Sequence, residues 1–155
     1  MIPDLTEELA SAALMDGDLQ LQFVKLVAHP VHKARTYYFR MIHSQTGEEL
    51  GGINLRVGSA PHLHLYAGHI GCTVHPAYRG HRYAARSVRL LIPVARQLHF
   101  KILWITCDPE NTSSRRTAEL AGAQFVEIVN VPENCIIHQA GHKTKCRYRL
   151  HVGNP

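Results

Sequence analysis

The alternation of apolar and polar positions predicts the first half of this chain to be mostly strands. A short helix is expected over residues 4–15, where Leu, Ala and acidic residues have helical spacing. Residues 19–27 alternate between apolar and polar side chains, as a half-buried strand does. Residues 36–43 and 50–57 flank a polar segment that contains glycine, so we expect an antiparallel hairpin. Residues 63–74 predict one further strand.

The second half of the chain alternates between predicted helices and strands. In residues 83–99 the apolar positions recur with a helical period. Residues 101–107 form a nearly continuous apolar run, which is typical of a strand covered on both faces. A helix over residues 112–121 follows, with glycine directly after it. Residues 124–129 and 145–152 are expected to be strands separated by a polar loop.

The order of these elements predicts a mixed α/β fold with a mostly antiparallel central sheet flanked by helices. No repeat, linker or change of composition interrupts it, so we expect a single domain over residues 1–155. The chain is 45% hydrophobic and 19% charged, a balance that excludes disordered and low-complexity proteins.

The sequence also carries a prediction about location. The N-terminal residues are acidic rather than basic, and no apolar run approaches ~20 residues, so neither a secretory signal nor a membrane partner is expected. The four cysteines are therefore expected to be reduced. We expect a cytoplasmic protein.

Positive charge is concentrated in one part of the chain. Residues 79–116 hold eight basic and two acidic residues, whereas the remainder holds nine basic and ten acidic residues. Such a segment favours a polyanionic ligand, either the phosphates of a nucleotide or a nucleic acid. Because the overall net charge of +5 is modest, nucleic acid is kept only as an alternative partner.

The candidate chemistry lies in residues 70–88. This segment reads as a strand, a turn at Pro76, a basic loop that contains Gly80, and the start of a helix. A loop of this kind directs free backbone N–H groups and the positive end of a helix dipole toward one small volume. We therefore predict a phosphate site there.

This segment and the residues after it contain four short motifs. They are Val74-x-Pro76-x-x-Arg79-Gly80, Arg79-x-x-Arg82-x-Ala84, Asn111-x-x-Ser114 and Ala121-Gly122-Ala123-Gln124-Phe125. Together these motifs resemble those of the GNAT superfamily of CoA-dependent N-acyltransferases, in particular the branch that contains the ribosomal-protein N-terminal acetyltransferases.

The resemblance implies a GNAT-like fold and the transfer of an acetyl or other acyl group from CoA directly to a primary amine. Acetyl-CoA is then the co-substrate. Its diphosphate would bind the backbone amides of residues 79–84, and its pantetheine arm would pair with the strand over residues 72–74. Asn111 and Ser114 would line the far side. These cofactor-binding residues are Cys72, Thr73, Val74, Arg79, Gly80, His81, Arg82, Tyr83, Ala84 and Asn111.

The resemblance also implies catalytic roles. Ser114 is expected to return a proton to the departing thiolate, because the tyrosine that many family members use is replaced here by Ala118. His69 and His64 are candidates for the base that takes the proton of the amine. A water relay remains an equal alternative to either histidine.

Two departures from the family pattern affect these expectations. Arg82 stands where the family has a glycine, so it either adds a contact to phosphate or weakens the cofactor site. The segment over residues 28–35 is too short for the two helices that usually wall the acceptor groove. The loop over residues 131–143, the N-terminal helix or a second subunit of a homodimer could complete that wall.

Other interpretations of the domain's function remain open at this point. The domain could bind CoA without catalysis, or it could bind nucleic acid. The spacing of Cys135, His138, His142 and Cys146 is compatible with zinc, but we expect no metal site. The acceptor is expected to be a small-molecule or peptide amine, and the sequence does not identify it.

Overall fold

The protein is described here from a computed structural model that covers residues 2–153. The helices are α1 (Thr6–Ala10), α2 (Tyr83–Gln97), α3 (Thr112–Leu120) and α4 (Ile136–Gln139). The strands are β1 (Leu14–Asp16), β2 (Leu19–Ala28), β3 (Arg35–His43), β4 (Glu49–Val57), β5 (Ile70–Val74), β6 (Ile102–Cys107), β7 (Gln124–Asn130) and β8 (Thr144–His151). Within this range, none of the helices has the length and hydrophobicity that crossing a membrane requires.

The strands form two antiparallel sheets rather than one central sheet. The first has the order β1-β2-β3-β4-β5 and the second the order β6-β8-β7. The two meet where the backbone N–H of His69 donates to the carbonyl of Trp104, at 2.7 Å. Beyond that point β5 and β6 are not paired. The predicted mixed α/β class with antiparallel strands and flanking helices is confirmed, and the separation of β5 from β6 is what positions the site.

Helix α2 packs its apolar face into a core that both sheets share. Val88, Leu91, Ala95 and Leu98 on this face are buried, together with core residues of both sheets. This is the face that the helical period of the sequence predicts. The helix runs through Pro93 without interruption. The core therefore fixes the start of α2 relative to the ends of β5 and β6.

The predicted strand over residues 63–74 is correct only in its second half. Residues Leu63–Ala67 form a π-helical turn, and β5 begins at Ile70. Side chains from distant strands satisfy the carbonyls of this turn: Thr106 donates to Tyr66 at 2.8 Å, and Arg147 donates to His64 at 3.0 Å. Those donors replace the ladder bonds that a strand would have made.

Two further expectations need correction at the ends of elements. The first helix closes at Ala10 rather than continuing to residue 15, and β1 follows it. The polar loop between β7 and β8 contains the short helix α4. The hairpin of β3 and β4, helix α3 and strands β6 to β8 lie within one or two residues of their predicted bounds.

Candidate active site

A cavity of about 1090 Å³ lies in the gap where β5 and β6 diverge. Ile70–Val74 line one wall, and residues 105–107 of β6 line the other. The starts of α2 and α3 and the loop between β7 and β8 complete the lining. A cavity of this size is large enough for an extended ligand.

The cavity-facing edge of β5 has no strand paired to it. The strand pairs with β4 alone, so its other edge has no strand partner and can bind a ligand, although the carbonyl of Val74 accepts a hydrogen bond from Nε of Arg79 at 3.3 Å. Cys72, Thr73 and Val74 all line the cavity at this edge. The structure thus brings these three predicted cofactor-binding residues to one wall.

The loop after β5 has the backbone conformation that its motif requires. Gly80 has φ of +99°, a region that side chains disfavour, and a Cβ atom there would meet nothing within 4 Å. Arg82 has φ of 60° and ψ of 27°, so arginine here adopts the left-handed conformation usual for glycine. Arg79, Gly80, Arg82, Tyr83 and Ala84 line the cavity.

Helix α2 begins at Tyr83 with unoccupied N–H groups. No side chain caps its N-terminus, so the first-turn donors are free on the side that lines the cavity. His81, by contrast, lies outside the lining. Its carbonyl accepts a hydrogen bond from Arg86 at 3.3 Å, and its ring lies beside the ring of Tyr83.

Two aspartates at the start of the first sheet hold the beginning of α2 in place. Arg86 donates to Asp16 at 2.8 Å and to Asp18 at 2.7 Å. The buried hydroxyl of Tyr83 donates to Asp18 at 2.9 Å. The hydrogen bond from Arg86 is the largest reason that the pKa of Asp18 is lowered, so this carboxyl stays ionised. The loop that precedes α2 is therefore anchored at its far end.

The start of α3 places the predicted acid on the cavity. The Asn111 side chain accepts hydrogen bonds from the backbone N–H of Ser114 at 3.1 Å and from the hydroxyl of Ser113 at 3.0 Å. Asn111 therefore caps the helix, and the hydroxyl of Ser114 is not the group that caps it. Both Asn111 and Ser114 line the cavity. Ala118 is completely buried.

The position of His69 is at odds with the role of base predicted for it. Its ring is 1% exposed and lies outside the cavity lining. Nδ1 accepts the backbone N–H of Trp104 at 2.9 Å, and Nε2 lies 3.3 Å from the carbonyl of Gly58. Burial is the main cause that lowers the pKa of His69 to about 4. The ring therefore joins the two sheets, and its accepting nitrogen is already occupied.

Other histidines lie where an acceptor would enter. His32, in the turn between β2 and β3, lines the cavity, and its Nδ1 lies 2.8 Å from Nε2 of His62. Burial, followed by the charge of Arg56, lowers the pKa of His32 to about 4, so the ring is neutral near pH 7. Sequence analysis missed this residue because no motif marks it.

The loop between β7 and β8 forms another wall at this end. Ile136, Ile137, Ala140 and His142 line the cavity, so residues 131–143 do help to complete the wall, as one of the open alternatives predicted. The imidazole of His142 lies 2.7 Å from a carboxylate oxygen of Asp108. Asp108 also binds the ammonium group of Lys145 at 3.1 Å.

The charges around the cavity are all positive. Arg56, Arg79, Arg82 and Lys145 line it, and within residues 2–153 no Asp or Glu side chain does. Arg56 is 8% exposed. Its Nη1 donates to the carbonyls of Ala67 and Gly68 at 2.9 and 3.0 Å. Sequence analysis found the two arginines of the loop and missed Arg56 and Lys145.

The cysteines near the cavity offer neither a metal site nor an activated nucleophile. Burial raises the pKa of the Cys107 thiol to about 11, so it stays protonated. Cys135 lies 3.8 Å from His62 rather than beside His142 or the buried Cys146. Across the described part of the chain, no three His, Cys, Asp or Glu side chains come together as metal ligands.

Comparison with solved structures shows similarity of fold. An acetyltransferase of the GNAT family from Bacillus anthracis is 22% identical, with a TM-score of 0.57 over 74% of this chain and 66% of that one. A protein from Vibrio cholerae assigned as a ribosomal-protein-serine acetyltransferase is 18% identical, with a TM-score of 0.62 over 91% and 98%. The microcin C7 self-immunity acetyltransferase MccE, in complex with acetyl-CoA and AMP, is 14% identical, with a TM-score of 0.58 over 76% and 61%. In two of these three the chain spans less than two thirds of the other protein.

Comparison with protein families identifies the chain. No curated protein matches it. The model of the acetyltransferase (GNAT) domain matches residues 7–124, which is most of the sequence. The motif after β5, the divergence of β5 from β6 and the free N-terminus of α2 lie within that match. The protein thus belongs to the GNAT acetyltransferases, the enzymes that use acetyl-CoA to acetylate amines.

Proposed function

We propose that this chain transfers an acetyl group directly from acetyl-CoA to a primary amine in the cavity between β5 and β6. The observation that carries the proposal is the set of free backbone donors at the loop after β5 and the start of α2. These donors suit the diphosphate of CoA, and the guanidinium groups of Arg79 and Arg82 add charge to the same place. Both sheets supply one cavity, which supports a single catalytic domain.

The free edge of β5 is proposed to hold the pantetheine arm. Backbone groups of Cys72, Thr73 and Val74 would pair with its amides as a neighbouring strand would. A backbone N–H on this strand would also stabilise the negative charge that develops on the thioester oxygen. Asn111 lies on the opposite wall and closes the channel from the α3 side.

The proton transfers are assigned to Ser114 and His32. The amine nitrogen forms a bond to the acyl carbon, and the bond from that carbon to sulfur breaks. Ser114 donates its hydroxyl proton to the departing thiolate and recovers one from water. His32 replaces His69 as our candidate base, because its ring lines the cavity, whereas His69 is outside the lining and its accepting nitrogen is occupied. Direct transfer needs no acyl-enzyme, which agrees with the protonated state of Cys107.

The acceptor is proposed to be the amine of a small molecule or of a peptide. We place the reaction in the cytoplasm, because the four cysteines, all within the described residues, are free thiols suited to a reducing compartment. The expected homodimer stays a prediction, which sedimentation of the purified chain tests.

The experiment that tests this function measures binding and transfer separately. Calorimetry should show saturable binding of acetyl-CoA, and a thiol reagent should detect CoA release only when an amine is present. His32→Gln should lower kcat/KM for the amine about tenfold with acetyl-CoA affinity unchanged. His151→Gln, at an exposed histidine of β8, is the matched control.

Two results would contradict parts of the proposal. Binding of acetyl-CoA without thiol release for any amine would favour a CoA-binding domain without catalysis. Unaltered kinetics in His32→Gln would transfer the role of base to water.

A further inference from the structure

We infer that the amine acceptor of this enzyme carries a carboxylate, which Arg56 and Lys145 bind. The inference rests on the proposed acetyl transfer and specifies its substrate class. It concerns the end of the cavity away from the proposed diphosphate site, where two cations line the surface and Arg56 has no carboxylate partner.

Arg56 is a buried cation that no carboxylate neutralises. The side chain lines the cavity although the residue is 8% exposed, and it forms no ion pair within residues 2–153. Its Nη1 binds the carbonyls of Ala67 and Gly68, while its Nε is buried without any hydrogen-bond partner. A buried guanidinium is destabilising unless an anion or a full set of acceptors compensates it. Two carbonyls supply only part of that compensation.

The fold keeps space open for this guanidinium. A Cβ atom at Gly71 would lie 2.6 Å from Nη2 of Arg56, so only glycine at this position of β5 admits the side chain where it lies. Gly71 itself lines the cavity. The guanidinium therefore lies over β5 at the surface of the cavity rather than deep in the core.

Lys145 brings a second cation to the same neighbourhood. Its side chain is 15% exposed and lines the cavity, whereas its partner Asp108 is outside the lining and is shared with His142. Arg56 and Lys145 each lower the pKa of His32, so both lie close to that ring. His32 is neutral and Asp108 pairs with Lys145, so Arg56 supplies the uncompensated positive charge of this region.

These cations are separate from the phosphate site. The backbone N–H of Arg56 binds the carbonyl of His69, just before β5 begins, whereas Arg79 and Arg82 follow the end of β5. The guanidinium of Arg56 lies over Gly71, so about 10 Å of β5 separates it from Val74 at the end of the strand. The diphosphate of CoA occupies the second place, so the first is left for another anion.

A carboxylate on the acceptor fits this charge and assists the reaction. It would complete the hydrogen bonds of Arg56 in a charge-assisted pair. The same positive potential disfavours the ammonium form of the acceptor, so the neutral amine that attacks the thioester is more populated. An acceptor with several positive charges would be repelled.

The test compares acceptors that differ in the carboxylate, with each kcat/KM referred to the fraction of neutral amine, because a carboxylate also raises the basicity of the neighbouring amine. CoA release is followed with leucine against leucinamide, and with the dipeptide amides of Asp-Ala against Asn-Ala. The first pair probes a free α-carboxylate and the second an acidic side chain beside a peptide N-terminus. We expect at least one carboxylate member to have a kcat/KM about tenfold above its amide.

Four variants test whether this site sets the preference. Lys145→Met should reduce the preference severalfold, whereas Lys143→Met, an exposed lysine outside the cavity lining, should leave it unchanged. Arg56→Lys keeps the charge and should reduce the preference less than Arg56→Met. Melting temperatures of all four proteins with acetyl-CoA show that they are folded and loaded.

A binding measurement keeps the inference falsifiable if turnover is slow. Calorimetry with the protein saturated by CoA should show tighter binding of a carboxylate probe than of its amide. Equal kinetics and equal binding within both pairs, or a preference for the amides, would overturn the inference and leave acetyl transfer intact. Failure to bind acetyl-CoA would instead overturn the proposed function.

Discussion

The two ends of the cavity are built in different ways. The cofactor end comes from one continuous stretch, from β5 through the loop to the start of α2, and it presents mainly backbone groups. The acceptor end is assembled from four separate parts of the chain and presents side chains, among them His32, Arg56, His142 and Lys145. In the proposed function, the first end would bind acetyl-CoA and the second would select the acceptor.

This difference explains which end is rigid and which end can vary. Backbone donors are fixed by local conformation, such as the left-handed conformation of Gly80 and Arg82. Positions with such a conformation tolerate few substitutions. Side chains from loops and strand ends can change without altering the fold. We therefore expect substitutions at the cofactor end to affect every acceptor equally and those at the acceptor end to change specificity.

The largest effect is expected at Gly80. Gly80→Asp adds a negative charge to the diphosphate site and a side chain at φ of +99°, so acetyl-CoA affinity should fall at least about 100-fold by calorimetry. Gly47→Asp is the matched control, because Gly47 has φ of +76°, equally open surroundings and no place in the cavity lining. Similar affinities for the two variants would remove the loop from the cofactor end.

The second-largest effect is expected at Ser114, on the wall of the cavity opposite β5. Ser114→Ala should lower kcat about tenfold with little change in KM for acetyl-CoA, since only the return of a proton to the thiolate is lost. Ser113→Ala is the comparison, because that hydroxyl also lies on the cavity but binds Asn111. If turnover is unaltered in Ser114→Ala, water rather than Ser114 returns the proton to the thiolate.

A smaller effect concerns the histidine that joins the two sheets. The pKa of His69 is about 4 when folded and near 6.5 when unfolded, so its contribution to stability is complete above pH 6.5 and decreases as pH falls toward 4. Between those pH values, the free energy of unfolding of the wild type should fall by up to about 1.4 kcal/mol per pH unit more than that of His69→Gln. Urea unfolding at pH 7, 6 and 5 measures this.

The pH experiment has its own control. His29, His32 and His62 also have lowered pKa values, but they are present in both proteins and cancel in the comparison. Parallel stability curves for wild type and His69→Gln would show that the imidazole does not titrate with unfolding.

The smallest effect is expected at Arg82 and tests whether its side chain contacts phosphate. Arg82→Gly removes the strain of a left-handed arginine, about 1 kcal/mol, which should raise the melting temperature by about 3 °C. It should also weaken acetyl-CoA binding severalfold, because a charge-assisted contact to phosphate is lost. His99→Gly is the control, because it relieves the same kind of strain, at φ of 68°, outside the cavity. It should stabilise the protein without changing its affinity for acetyl-CoA.

Most of the fold and most of the cofactor end could be predicted from local sequence. Of the ten residues predicted to bind CoA, all but His81 line the cavity, since a motif of consecutive residues determines the loop and the helix start directly. Residues 63–67 were predicted as part of a strand over residues 63–74. They form a turn instead, because Arg56, Thr106 and Arg147 donate hydrogen bonds to its carbonyls.

The acceptor end could not be predicted in the same way. Its residues come together only through tertiary packing, as with the ring of His32 on that of His62 or the ion pair of Lys145 with Asp108. The same is true of His69: its place on the strand leading to the cofactor segment made it a candidate base, but its ring contacts Trp104 and Gly58.

The turn between β2 and β3 has one more consequence. Only residues 29–34 connect these strands, a segment too short to fold over the cavity as a lid. An acetylated product can then depart without waiting for a cover to open, a step that limits the turnover of many enzymes. We expect the chemical step itself to set the rate here, so that kcat should respond strongly to the basicity of the amine.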